Sequence, residues 1–413
     1  MYLSDNEKKM IDGEKGPSVR KAMEILTALG EIYDAEKMIP ISGVHMPGAS
    51  VVVTGESGVK FIEEMSAGID RLAVFTTLNP NALDEKRWAA LKIKKEEAAL
   101  QIRLTEAYKK MGAIACHSCT PYLIGHIPRL GQHVAWGESS AVIYANSVLG
   151  ARTNREGGPS ALACAVTGLA PAYGYHLDRN RQGQLLIYFS DTISGVYEYG
   201  SLGYYVGKLA GDRVPVFTGI SPSVTTDELK SLGSALASSG AVALFHIVGI
   251  TPEAPSLEAA FHGIAPVETY NVTKKELQSV DEKLNRAPGN AVDWVFLGCP
   301  FISIQEYAYI ASLLEGKQVN SGVDLWVASS AAVYAMAQSM GYTDIIKSAG
   351  GRNVCDICPV LTLSDKIAQR NGYRSITTNS AKMAHYMPGQ FNMLTRYGST
   401  RKCIDAAISG YWE

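Results

Sequence analysis

The chain has 413 residues, 46% hydrophobic and 19% charged, with a formal net charge of −2; that length supports two or three domains around large cores. Lys and Arg are scattered, with no basic stripe or aromatic-interleaved patch, so nucleic acid is not an expected partner, and no apolar run of roughly 18 residues marks a membrane span. The opening MYLSDNEKKMIDGEKG is polar and charged, and seven cysteines are odd and sparse for the length; no secretory signal is expected, and the thiols are expected to be reduced, in the cytoplasm.

In chain order, Ser4 caps a first helix, and Gly16-Pro17-Ser18 breaks the chain and opens a second that runs to about Gly30. Residues 91–111 are rich in strong helix formers and end at Gly112. The apolar run 112–115 reads as a buried strand delivering Cys116 and Cys119 to its C-terminal end. After about residue 210 the pattern becomes strand, helix, strand. Strands are expected at 214–218 and 242–248, with a helix at 225–239 between them. A Thr-Lys-Lys-Glu capping box opens a helix at 273–285. A strand at 293–297 feeds directly into Gly298-Cys299, and helices follow near 303–315 and 329–341. Such alternation predicts an α/β fold, parallel sheets flanked by helices, with ligands at the carboxyl ends of the strands. The expected boundary is the loop at 207–213, dividing the chain into regions 1–210 and 211–413.

Three short stretches carry thiols beside turn residues: Cys116-His-Ser-Cys119-Thr-Pro-Tyr122, Gly298-Cys299-Pro300 and Cys355-Asp-Ile-Cys358-Pro359. Thiolates are soft ligands that suit zinc and iron–sulfur clusters. Two Cys-x-x-Cys pairs could make a four-thiolate zinc site in a non-enzymatic binding protein. One pair could do redox chemistry. One cysteine from each stretch could bind a [4Fe–4S] cluster and leave one iron open as a Lewis acid. Cys164 and Cys403 read as small buried hydrophobes.

At these residues the chain resembles the large subunit of the aconitase X family over essentially its whole length. The longest matching block is AWGESSAVIYANSVLGARTNREGGPS, residues 135–160. Beside it stand Leu78-Asn-Pro80, Cys119-Thr-Pro-Tyr122, Gly298-Cys299-Pro300, Cys358-Pro-Val360 and Asn379-Ser-Ala-Lys382-Met-Ala-His-Tyr386. The resemblance implies an aconitase-like multi-domain core and hydro-lyase chemistry. It implies Cys119, Cys299 and Cys358 as iron ligands. The cofactor expected is [4Fe–4S], with [2Fe–2S] and mononuclear iron as alternatives. It also implies substrate contacts at Gly48, Ala49, Ser50, Asn79, Pro80, Glu138, Ser139 and Lys382. Glu138 would hold the substrate hydroxyl or pass a proton, with Ser139 beside it, and Lys382 would pair with a substrate carboxylate. Arg155, like Arg152, would bind a second anionic group or brace Glu156 internally.

Family members act on (R)-5-phosphomevalonate, giving trans-anhydromevalonate 5-phosphate, or on cis-3-hydroxy-L-proline. The chain length favours the first. The fourth aconitase-like domain, with the catalytic base, is then expected from a small partner subunit.

Overall fold

The computed structural model describes the chain apart from residues 92, 362 and 363 and the side chains of 90–91 and 364–367. In α1 (Asp5–Ile11) the Ser4 hydroxyl accepts from the Glu7 amide, while the Glu7 carboxylate accepts from the Ser4 amide. This reciprocal cap satisfies two donors that a helix start leaves open. Pro17 starts α2 (Pro17–Ile32), where its missing N–H costs nothing. Then come β1 (Met38–Pro40), β2 (Gly43–Met46), α3 (Val51–Ala67), β3 (Phe75–Leu78) and α4 (Lys95–Lys110). They are followed by β4 (Ala135–Trp136), α5 (Ser139–Ser147), α6 (Gly158–Thr167) and β5 (Leu169–Pro171). β2 is the centre of a parallel sheet of order β3-β2-β4, and β1 pairs antiparallel with β5.

The strand expected at 112–115 is a single parallel bridge, Thr77 to Ile114. Ala113 is buried but Ile114 is half exposed, so the run lies along the open flank of β3. The chain then bends through His117, at φ 38°, into Cys119.

The second sheet has the parallel order β8-β7-β6-β9. Its elements are β6 (Leu185–Phe189), α7 (Gly195–Ala210), β7 (Pro215–Thr218), α8 (Thr226–Ser239), β8 (His246–Ile247), α9 (Leu257–Ala260), β9 (Glu268–Val272) and α10 (Lys274–Leu284). Residues 207–213, read from the sequence as a boundary, hold the last turn of α7 and the start of its link to β7. β7 pairs in register with β6, Leu186 opposite Val216, so one sheet spans that stretch. The strand expected at 242–248 pairs only at His246–Ile247. α5 takes the backbone before it: Asn146 donates to the Ala243 carbonyl, and the Phe245 amide donates to Ser147 Oγ.

The third sheet, β12-β11-β10-β13-β14, is also parallel. It is built from β10 (Trp294–Leu297), α11 (Ile304–Leu314), β11 (Asp324–Ser329), α12 (Ala331–Ser339), α13 (Tyr342–Ser348) and β12 (Arg352–Cys355). α14 (Ser364–Asn371), β13 (Ser375–Thr378), α15 (Ala381–Phe391), β14 (Leu394–Tyr397) and α16 (Thr400–Ser409) complete it. Every residue of β10 is buried, as a strand covered on both faces requires.

The three parallel sheets share cores. Trp136 and Val142 pack with Ile187 and Phe217 of the second sheet. Leu83 and Cys119 pack with Trp294, Phe296 and Trp326 of the third. No helix among the described residues is long and apolar enough to cross a membrane.

Candidate active site

The three cysteine stretches meet because the ends of β3, β10 and β12 meet. The Ser118 amide donates to the Leu78 carbonyl, which seats the Cys119 turn at the end of β3. The Asn81 amide donates to the Asp356 carbonyl, which seats the Cys358 turn beside it. Cys299 follows β10 through Gly298. A Cβ at Gly298 would stand 2.4 Å from the Ala328 carbonyl oxygen, and its φ is 127°. Only glycine lets the chain turn there. The Phe301 amide then donates to Cys119 Sγ at 3.2 Å.

The thiols sense one another. Burial pushes the Cys119 thiol well up, and the charges of Glu138, Cys358 and Cys299 add to it. Burial pushes Cys358 up to about 12, with Cys299 adding and Lys382 opposing. Burial also raises Cys299, against the pull of Lys382 and a hydrogen bond from Ser380. Cys119 is buried, whereas Cys299 and Cys358 keep part of their surface open.

A polar cluster adjoins the thiols. Glu138 caps α5, its Oε2 accepting from the Ala141 amide at 2.7 Å. Lys382, in the first turn of α15, donates to Glu138 Oε1 at 2.6 Å, Ser140 Oγ at 2.7 Å and Ser139 Oγ at 3.1 Å. Burial works against its charge, but Glu138 and Cys299 outweigh that and hold its pKa above the ordinary lysine value.

The Gly48–Ser50 turn lies against the Cys358 turn, since Ser50 Oγ donates to the Leu361 carbonyl. Gly48 has φ 72°, and no hydrogen bond from the Gly48, Ala49 or Ser50 amides is present among the described residues. Asn79 and Pro80 are buried between the Cys119 and Cys358 turns, with the Asn79 side chain close to the His45 ring. Arg155 stands apart: its guanidinium donates to the Val242 carbonyl, on the side of the second sheet. Arg152 is committed to Asp178 and the His176 carbonyl.

Sequence reasoning passed over Ser140, Ser380 and the Phe301 amide. Ser140 is the second serine of the Glu-Ser-Ser run, and Ser380 caps the helix that carries Lys382. Nothing in the sequence marks a backbone amide 182 residues from its acceptor.

The donor set suits a sulfide-bridged iron cluster. It offers three soft thiols from three turns, and the seven cysteines are all free. The Tyr122 hydroxyl, on the same turn as Cys119, is buried and has no hydrogen-bond partner among the described residues. The four-cysteine zinc arrangement does not fit: Cys116 donates to the Leu78 carbonyl, and Cys355 accepts from Arg87 at 3.4 Å. Among the described residues, no group of three or more His, Cys, Asp and Glu side chains is arranged to hold a metal ion. A cluster of several irons needs its thiolates spread wider than one ion does.

Residues 1–179, 183–282 and 292–409 match the models of the aconitase X first, second and third domains. The phosphomevalonate dehydratase large subunit of Methanothermobacter thermautotrophicus is 44% identical, over 94% of each chain. That of Methanocaldococcus jannaschii is 42% identical, over 94% of this chain and 95% of that one. The cis-3-hydroxy-L-proline dehydratase of Pseudomonas aeruginosa is 35% identical, over 98% of this chain and 69% of that one. The crystal structure of Thermococcus kodakaraensis aconitase X in its holo-form matches with a TM-score of 0.88 at 37% identity, covering 98% of this chain and 100% of that one. With family matches along nearly its whole length and a fold to match, the chain belongs to the aconitase X family.

Proposed function

We propose that the chain is the large subunit of a hydro-lyase that converts (R)-5-phosphomevalonate to trans-anhydromevalonate 5-phosphate. The observation that carries this reading is the meeting of Cys119, Cys299 and Cys358 with the Lys382–Glu138 pair. It is supported by relatives named phosphomevalonate dehydratase large subunit at 44% and 42% identity, against 35% for the hydroxyproline enzyme.

Cys119, Cys299 and Cys358 would hold an iron–sulfur cluster, most simply [4Fe–4S], which supplies a Lewis-acidic iron for a hydroxyl leaving group. The remaining work falls to the polypeptide. Lys382 presents a fixed positive charge to the substrate carboxylate. Glu138 Oε1, flanked by Lys382 and Ser139, accepts the hydrogen bond of the substrate hydroxyl and fixes its direction. The amides of the Gly48–Ser50 turn, which make no hydrogen bond among the described residues, form a nest for the phosphate end. Holding both ends fixes the carbon that loses its proton relative to the hydroxyl that departs. As that C–H bond breaks, its electrons form the carbon–carbon double bond and the C–O bond breaks, and the departing hydroxide and the proton taken by the base together make up the water lost. The base that takes the proton comes from the small partner subunit, and the pair works in the cytoplasm.

The test is anaerobic reconstitution with iron and sulfide, with and without the small subunit, followed by assay of phosphomevalonate, mevalonate and cis-3-hydroxy-L-proline. Turnover of phosphomevalonate alone, and only in the complex, is expected. Turnover of hydroxyproline alone would overturn the substrate assignment. Full activity without a partner would overturn the two-subunit reading.

A further inference from the structure

Lys230 lies in α8, on the second sheet's side, yet its ammonium is buried beneath the Cys299 turn. It donates to Asp227 Oδ1 at 2.9 Å, to Glu306 Oε2 and to the Phe301 carbonyl at 3.2 Å. A buried cation between two carboxylates is a poor device for stability alone, because apolar groups of the same shape often serve as well or better. Its third contact gives it direction. Phe301 is held from both ends: Lys230 grips its carbonyl, and its amide donates to Cys119 Sγ at 3.2 Å. Its ring is buried in the core that contains Cys119 and Trp326. The two carboxylates hold the next turn as well, Asp227 accepting from Ser303 Oγ at 2.6 Å and Glu306 from the Ser303 amide at 2.9 Å. The gap among Lys230, Cys299, Pro300, Glu306 and Ser380 is about 10 Å³, at the lower limit for one water. On the other side, Asp227 and Glu306 line a larger open cavity of about 600 Å³, from which solvent reaches the carboxylates.

We propose that Lys230 is a positioning residue for the Cys119 sulfur, acting through the Phe301 peptide groups. One residue from each of the three sheet regions takes part, so the amide-to-sulfur bond stays aimed only while α8 and α11 stay in register. Hydrogen bonds to ligand sulfurs tune a cluster's reduction potential and solvent access. This rests on Cys119 being a cluster ligand; the link to Phe301 is testable without that.

Two variants are informative. Lys230→Met combined with Glu306→Gln removes the cation and one of its carboxylates together. Lys230→Arg keeps a cation beside Asp227 and Glu306, but its planar fork does not reproduce the point contact at the Phe301 carbonyl. In the cluster-free chain, hydrogen exchange at the Phe301 amide is expected to quicken ~10-fold, the equivalent of one ordinary hydrogen bond. In the reconstituted chain, release of iron to a chelator should quicken and the reduction potential should fall. Unchanged amide exchange in whichever variant folds overturns the proposal, whatever the iron does. Lost melting temperature with unchanged exchange, iron release and potential reduces Lys230 to a tie between sheets. Iron fully retained in Cys119→Ser with quickened Phe301 exchange leaves the link standing and removes the ligand reading instead.

Discussion

The Lys382 ammonium stands 2.6 Å from the Glu138 carboxylate, across 244 residues of sequence, and both sit at helix starts. A buried pair of this kind is costly to break from one side, typically about 2–5 kcal/mol, since the remaining charge is left unpaired. Lys382→Ala should therefore lower kcat/KM by at least ~10-fold, with 1.4 kcal/mol equal to a factor of ten. Steady-state kinetics on the assembled enzyme check it. A variant within twofold of the parent would remove Lys382 from the site.

Five of the seven cysteines separate into two groups. Serine at Cys119, Cys299 or Cys358 should strip iron and acid-labile sulfide from soluble protein. Serine at Cys164 or Cys403, which lie in hydrophobic cores, should leave both in place. Iron and sulfide analysis of the five purified variants decides it, and full iron in Cys299→Ser sinks the three-ligand arrangement.

Gly298 offers a test that touches no ligand atom. In Gly298→Ala the new methyl would meet the Ala328 carbonyl, and the residue would be held at φ 127°. The backbone strain alone is about 1–3 kcal/mol. Relief by displacement of the Cys299 turn should lower iron occupancy more than it lowers the melting temperature. Normal occupancy with a lowered melting temperature would show that the turn tolerates the shift.

Acid should weaken the fold through its buried histidines. Burial lowers the pKa of His45, His126 and His176 to about 3, from an ordinary value of about 6.5. As pH falls, the unfolded chain takes up these protons first. The stability they support is complete above about pH 6.5 and is lost progressively on the way down to 3. Between pH 7.5 and 5.5 each should cost about 1.4 kcal/mol, because the unfolded histidine charges over that interval while the folded one does not. Denaturant titrations of the unloaded chain at the two pH values measure it, and an unchanged midpoint refutes it.

Local signals in this chain were readable; long-range ones were not. The capping box of Thr273 and Glu276 opens α10 where the sequence places a helix start. The strand before Cys299 falls within one residue of its expected limits. Both depend on neighbours a few positions away. The single bridge at Ile114, by contrast, depends on which flank of β3 is open. Residues 242–245 fail to join a strand because Asn146 and Ser147 reach across to them. The family motifs singled out Glu138, Ser139 and Lys382, but Ser140 and Ser380 emerge only once the starts of α5 and α15 are brought together. Arg155 sits in the longest matching block, yet its side chain is turned to Val242, a choice set by packing.

The bond from the Phe301 amide to Cys119 spans 182 residues, and the Cys358 turn lies farther along still. During synthesis the first sheet region can fold long before its thiol meets the other two. A cofactor held by all three turns could be loaded only once nearly the whole polypeptide has emerged. Until that moment Cys119 lacks Trp294, Phe296 and Trp326, the third-sheet residues that cover it in the folded chain.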